Sequence, residues 1–100
     1  MAEFRFENNQ LKSRTGSTLG RIDRSEVRDR SGALLVKIIN QDIRDRTGAL
    51  LARVRGDVVE DSHSRKIGSI VGIRKEIDGA NLLDPIYAAA LWICFIRRGL

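Results

Sequence analysis

Val27-Arg28-Asp29-Arg30-Ser31-Gly32-Ala33-Leu34-Leu35 and, sixteen positions on, Ile43-Arg44-Asp45-Arg46-Thr47-Gly48-Ala49-Leu50-Leu51 are two copies of one unit. The unit also precedes them, as Leu11-Lys12-Ser13-Arg14-Thr15-Gly16, and follows them more loosely, as Val59-Glu60-Asp61-Ser62-His63-Ser64. Equal units in tandem bury their apolar faces by packing on one another, so the repeat governs the architecture more firmly than any other feature.

Each unit reads as a strand, a turn, a second strand and a connector. Asp29-Arg30-Ser31-Gly32 and Asp45-Arg46-Thr47-Gly48 place Asp first, Ser or Thr third and Gly last, the order of a type I turn followed by a residue at positive φ. Val27 and Ile43 alternate with Arg28 and Arg44 before the turn, while Leu34-Leu35-Val36-Lys37-Ile38 and Leu50-Leu51-Ala52-Arg53-Val54 alternate imperfectly after it. Two strands per unit give about eight short strands. One column is small, with Gly20, Val36, Ala52 and Gly68 at equivalent places, and Ile22, Ile38, Val54 and Ile70 stand two positions later. Small residues beside a constant β-branched one predict a face pressed against something bulky.

The bulky object is expected at the C-terminus. Asp84-Pro85 reads as a helix start, with Asp as N-cap and Pro at the first helical position. Ile86 to Ile96 follows without a charge, and Arg97, Arg98 and Gly99 suit the negative end of the helix and its termination. Those eleven residues span about 16 Å as a helix, roughly half of the ~30 Å hydrocarbon core of a bilayer. A helix apolar on every side must be surrounded on every side, which predicts a buried core helix.

One hundred residues make one domain. Of its 18 cations against 13 acids, 14 are Arg, whose guanidinium forks onto carboxylates and phosphates. The basic balance permits an acidic partner without naming one. Cys94 alone excludes an internal disulfide, and Met1-Ala2-Glu3-Phe4-Arg5-Phe6 lacks the apolar core of a signal peptide; together they predict a cytoplasmic chain. Five aromatics are too few for a stacking platform that binds single-stranded nucleic acid.

The units V-R-D-R-S-G-A-L-L and I-R-D-R-T-G-A-L-L, four in number and followed by one apolar helix, resemble the small bacterial family of four-fold β-flower proteins over residues 11 to about 98. The resemblance implies four hairpin petals around a centre occupied by the C-terminal helix, and it carries no catalytic residues. The fourth unit departs from the pattern, with Ser64 where Gly stands in the others.

The repeated cations are the best functional candidates. Arg14, Arg30 and Arg46 share one turn position, Lys12, Arg28 and Arg44 lie two before it, and Arg21, Lys37 and Arg53 fall on the second strand. Repetition turns each set into an arc of positive charge able to meet phosphates on nucleic acid or lipid. The competing reading is a solvated outer face neutralised by Asp23, Asp29, Asp42, Asp45, Asp57 and Asp61. Each turn offers one carboxylate, which fits turn-capping better than calcium binding. His63 reads as a surface turn residue and Cys94 as a core thiol, not as a catalytic pair. Arg55-Gly56-Asp57 spells an adhesion tripeptide at a place where a connector needs Gly and Asp to turn. Phosphate-binding loops, dinucleotide fingerprints and zinc spacings are absent from the sequence.

The expected object is mainly β: four tandem hairpins arranged, flower-like or barrel-like, around a buried C-terminal α-helix. Residues 1–10 form an N-terminal edge strand, 11–74 the four hairpins, 75–83 a connector and 84–98 the helix. The expected role is that of a non-enzymatic binding or structural module without cofactor, metal or small-molecule substrate. The alternative is polyanion binding through Arg14, Arg21, Arg28, Arg30, Lys37, Arg44, Arg46 and Arg53. Open strand edges favour a homo-oligomer.

Overall fold

The structure, a computed structural model, describes residues 3–97. The chain is mainly β, with ten strands in one open mixed sheet. They are β1 (Phe4–Glu7), β2 (Gln10–Ser13), β3 (Thr18–Asp23), β4 (Glu26–Asp29), β5 (Leu34–Ile39), β6 (Asp42–Asp45), β7 (Leu50–Arg55), β8 (Val58–Asp61), β9 (Lys66–Ser69) and β10 (Ile77–Asp78). β1 to β9 form an antiparallel meander in chain order, and β10 adds in parallel to the outer side of β1. The N-terminal strand expected at the edge therefore stands second: Phe4 and Arg5 pair with Ile77 and Asp78 across most of the chain.

The period of sixteen is the sum of a four-residue strand, a four-residue loop, a six-residue strand and a two-residue turn, as in β4, residues 30–33, β5 and residues 40–41. In the wide loops Asp29, Asp45 and Asp61 each turn Oδ1 inward. Asp29 Oδ1 accepts from Ser31 N–H (2.9 Å), Ser31 Oγ–H (2.6 Å) and Ala33 N–H (3.0 Å). Asp45 does the same with Thr47 and Ala49, and Asp61 with the N–H groups of His63 and Arg65. The glycines of the first three loops take φ of 92° to 95°, and Ser64 takes φ of 65° in the fourth. The fourth loop keeps its backbone bonds, Ser64 N–H to Asp61 O at 3.1 Å and Asp61 N–H to Arg65 O at 2.9 Å. Serine thus accepts a left-handed conformation that glycine would enter without strain.

The imperfect alternation has a single cause. Every wide hairpin carries a register shift at the same place, between Leu11 and Lys12, Val27 and Arg28, Ile43 and Arg44, and Val59 and Glu60. The unpaired residue opposite is Leu19, Leu35, Leu51 or Ile67, so two consecutive apolar residues occur without flipping the strand. Beyond the bulge the pleat resumes, and Leu11, Val27, Ile43 and Val59 lie fully buried on one face.

That face meets the C-terminal segment. After β9 the chain forms α1 (Ile70–Glu76), whose N-cap Ser69 accepts from Gly72 N–H at 3.1 Å, a helix the sequence reading did not anticipate. A 3-10 turn (Ala80–Leu82) follows β10, then α2 (Pro85–Leu91), which packs on β5, β6 and β7. Pro85 occupies the first helical position, but the Asp84 carboxylate makes no capping bond; its carbonyl accepts from Tyr87 and Ala88 N–H instead. From Trp92 to Ile96 the helix widens into a π-helical segment. Ile86, Ala88–Leu91 and Ile93 are buried, whereas Tyr87, Trp92, Cys94, Phe95 and Ile96 are only half-buried. Ala88 to Leu91, four consecutive residues without exposed surface, turn through nearly the whole circumference of the helix, so its middle is enclosed by the sheet and α1 while its C-terminal end is half-covered. Arg97 places its guanidinium 5.6 Å from the Trp92 ring centroid. Arg98 and Gly99, expected to finish the helix, lie outside the described residues.

The small column receives aromatic rings. A Cβ on Gly20 would collide with the Phe95 ring and stand 2.6 Å from the Arg28 carbonyl, and one on Gly68 would stand 2.8 Å from Trp92. The two end hairpins carry glycine because the helix's two large rings rest there.

Candidate anion-binding face

The cations on strands occupy the face opposite the helix, because each follows a buried neighbour: Arg28 after Val27, Lys37 after Val36, Arg44 after Ile43, Arg53 after Ala52. Antiparallel pairing then merges two of the expected arcs. Arg21 stands directly opposite Arg28 on β3 and β4, and Lys37 opposite Arg44 on β5 and β6. Arg5 faces Lys12 in the same manner on β1 and β2, and only at β7 and β8 does an acid enter, Glu60 opposite Arg53. Such opposed residues have Cα atoms about 4.5–5.5 Å apart.

The members of these pairs are held differently. Arg28 is clamped: its Nη1 donates to Gly32 O (2.9 Å), its Nη2 to Glu26 Oε1 (2.7 Å), and Asp23 lies 4.0 Å from its Nε. Arg44 repeats this with Gly48 O at 3.0 Å and Asp42 Oδ2 at 3.1 Å, and Asp42 Oδ1 also accepts from Arg53 Nε at 2.9 Å. The Arg53 guanidinium, and after it Arg44, hold the Asp42 carboxyl below the usual carboxylate range. Lys12 pairs with Glu7 at 3.3 Å. Arg21 and Lys37 form no ion pair among the described residues. Arg28, Arg44 and Arg53 therefore brace the hairpins, each strapping a strand to a loop or to an acid across it, while Arg21 and Lys37 are available.

Arg14, Arg30 and Arg46 sit elsewhere. They open the four-residue loops along one rim of the sheet, exposed, and make no ion pair among the described residues. Their neighbouring aspartates do not neutralise them through contact, being engaged by the loop backbone. The Ser31 hydroxyl and then Ala33 N–H lower the pKa of Asp29; Thr47 and Ala49 do the same for Asp45, and the N–H of Arg65 leads for Asp61. Asp57 accepts from Val71 N–H at 3.2 Å. The eight cations picked out by repetition thus resolve into a rim row of Arg14, Arg30 and Arg46, a two-by-two outer grid of Arg21, Arg28, Lys37 and Arg44, and Arg53 opposite Glu60, with Arg28, Arg44 and Arg53 structural.

His63 stands exposed in the fourth wide loop, and Cys94 lines a cleft beneath the first two. Burial pushes the Cys94 thiol up to about 12, which leaves it protonated and unreactive at neutral pH. Among the described residues no group of three or more His, Cys, Asp or Glu side chains is placed to share a metal ion, and no helix is long and apolar enough to cross a membrane. The cleft has a volume of about 730 Å³ and is lined by Phe4, Ser13, Leu19, Asp29, Arg30, Ser31, Cys94 and Phe95. Sequence reasoning found Arg30 by its repeated position and missed the rest; the one available signal was Ser13, which replaces the aspartate of the other three units. Comparison of the chain with protein-family models, with curated proteins and with solved structures finds no significant match.

Proposed function

We propose that the domain is a non-enzymatic binding module that docks a phosphate-bearing polyanion on the outer face of its sheet. The placement of Arg21 against Arg28 and of Lys37 against Arg44 carries this reading. Like charges directly opposite on a sheet oppose folding; Arg28 and Arg44 are offset by their own acids, and a row of phosphates laid across the strands would supply the counter-charge that Arg21 and Lys37 lack. The net charge of +5 favours the same sign of partner. Phe4, Phe6, Tyr87, Trp92 and Phe95 all pack against the core, so the outer face reads backbone phosphates and not base rings.

The test is a salt titration of binding to a fluorescent DNA duplex and to vesicles of anionic phospholipid. Affinity should fall steeply with salt for one of them, and the Arg21→Gln/Lys37→Gln double variant should lose most of it while keeping the fold. Equal binding by that variant would sink the proposal, because those two side chains have no structural bond to lose.

Within this reading the hairpins and terminal helix make up a small bacterial-type four-fold β-flower domain working in the cytoplasm. The four-unit repeat followed by one apolar helix is what supports it. Self-association is a second reading, favoured by β9, which ends the sheet order with a strand partner on one side only. It predicts a multiple of the chain mass by light scattering, independent of salt.

A further inference from the structure

The cleft between the first two wide loops and the end of the terminal helix lies on the opposite side of the sheet from the paired cations, and we infer that it is a binding site for a small amphiphile with one anionic head, such as a carboxylate, on an apolar body. Its volume of about 730 Å³ suits such a molecule. Phe4, Leu19, Cys94 and Phe95 supply the apolar lining, all of them half-buried, so apolar surface is presented to solvent inside a concavity. Ser13, Asp29, Arg30 and Ser31 supply the polar part.

A feature of every hairpin and one local departure from regularity converge here. Leu19 is the bulge residue of β3, as Leu35, Leu51 and Ile67 are of their strands, and a bulge re-aims a side chain. Cys94 and Phe95 come from the π-helical segment, a distortion found often at functional sites because it displaces side chains from the α-helical track.

Free hydrogen-bonding capacity selects the anion. Of the lining residues two are charged, Asp29 and Arg30. Asp29 Oδ1 is saturated by three donors of its own loop, whereas Arg30 has neither ion pair nor side-chain hydrogen bond among the described residues. In the first loop Ser13 stands where units two, three and four have aspartate, so this wall of the cleft carries a hydroxyl in place of a second negative charge. The repeat is broken where a carboxylate would repel an anionic ligand. A carboxylate bound here takes the Arg30 fork and lays its chain along Leu19 and Phe95.

The repeat also supplies an internal control, since Arg46 holds the same loop position as Arg30 but does not line the cleft. Octanoate and octan-1-ol, which share a tail and differ in the head, are titrated into the full chain and followed by backbone amide NMR shifts. Octanoate should perturb Leu19, Ser31 and Phe95. Octan-1-ol, and octanoate with Arg30→Gln, should bind about tenfold more weakly, the loss of one charge-assisted pair. Arg46→Gln should bind as the parent does, and Leu19→Phe should reduce octanoate affinity by filling the lining. Equal affinity for acid and alcohol, an unaffected Arg30→Gln, or shifts elsewhere would overturn the assignment. So would binding seen only in a chain ending at Arg97, which would make residues 98–100 the occupant. The salt titration of Arg21 and Lys37 is unaffected by any of these results.

Discussion

Replacing Gly20 by alanine should destabilise the domain, although in an ordinary strand the same change stabilises by about 0.5–1 kcal/mol. The sign is therefore diagnostic. A Cβ at this position falls on the Phe95 ring and 2.6 Å from the carbonyl oxygen of Arg28 on the neighbouring strand. The ring can retreat only by leaving its place against β3, and the carbonyl belongs to the sheet itself. Overpacking of this kind costs about 1–3 kcal/mol, which for a chain of this length lowers Tm by roughly 5–20 °C. Gly68→Ala meets Trp92 at 2.8 Å with no backbone atom among its closest contacts, so its loss should be the smaller of the two. Thermal unfolding by circular dichroism measures both. In a Phe95→Leu background the cost of Gly20→Ala should shrink without vanishing, because the Arg28 carbonyl remains. A Gly20→Ala variant with Tm equal to or above the parent would refute the argument that the terminal helix dictates the glycine.

Ser64→Gly should raise stability by about 0.5–1 kcal/mol, a few degrees in Tm, because Ser64 holds a φ of 65° that strains a side-chain-bearing residue; an unchanged or lower Tm would contradict that. Asp29, Asp45 and Asp61 have pKa values below the ordinary 3.8 when folded. Their stabilisation is complete above pH 3.8 and is lost as pH falls through the folded values, so the urea midpoint should decline below about pH 4, with a shallower decline in Asp29→Asn/Asp45→Asn. With its thiol pushed up to about 12, Cys94 should react with iodoacetamide at pH 7.5 far more slowly in the native protein than in urea. Leu91 has no exposed surface, so Leu91→Asp buries an unpaired charge and should yield an unfolded or aggregated chain by size exclusion and circular dichroism.

Turn chemistry made the hairpins legible, because Asp29, Ser31 and Gly32 are local signals that act wherever the chain places them. The small column was legible for the same kind of reason, since Gly20 and Gly68 have no use in a strand unless something approaches. The bulges at Leu19, Leu35, Leu51 and Ile67 were not, because nothing in Leu34-Leu35 or Leu50-Leu51 marks which leucine lacks a partner, and Leu19 and Ile67 each read as an ordinary apolar strand residue. α1 was hidden by Ile70, Val71, Gly72 and Ile73, residues of low helix propensity set into a helix by Ser69 and tertiary contact. The pairing of Phe4 with Ile77 joins segments far apart in the chain. For the candidate face, repetition showed which cations recur. Register alone decides that Arg21 meets Arg28, and side-chain geometry alone divides braced guanidiniums from free ones.

The aromatic rings of the terminal helix give the hairpins an order that their shared sequence lacks. The outer two are keyed, one to Phe95 through Gly20 and the other to Trp92 through Gly68, while Val36 and Ala52 leave the inner two without such a key. Exchanging the second and third hairpins would therefore shuffle near-synonyms. Exchanging the first and second would set Val36 under Phe95, so a chain of near-equal units has a reading direction at its two ends.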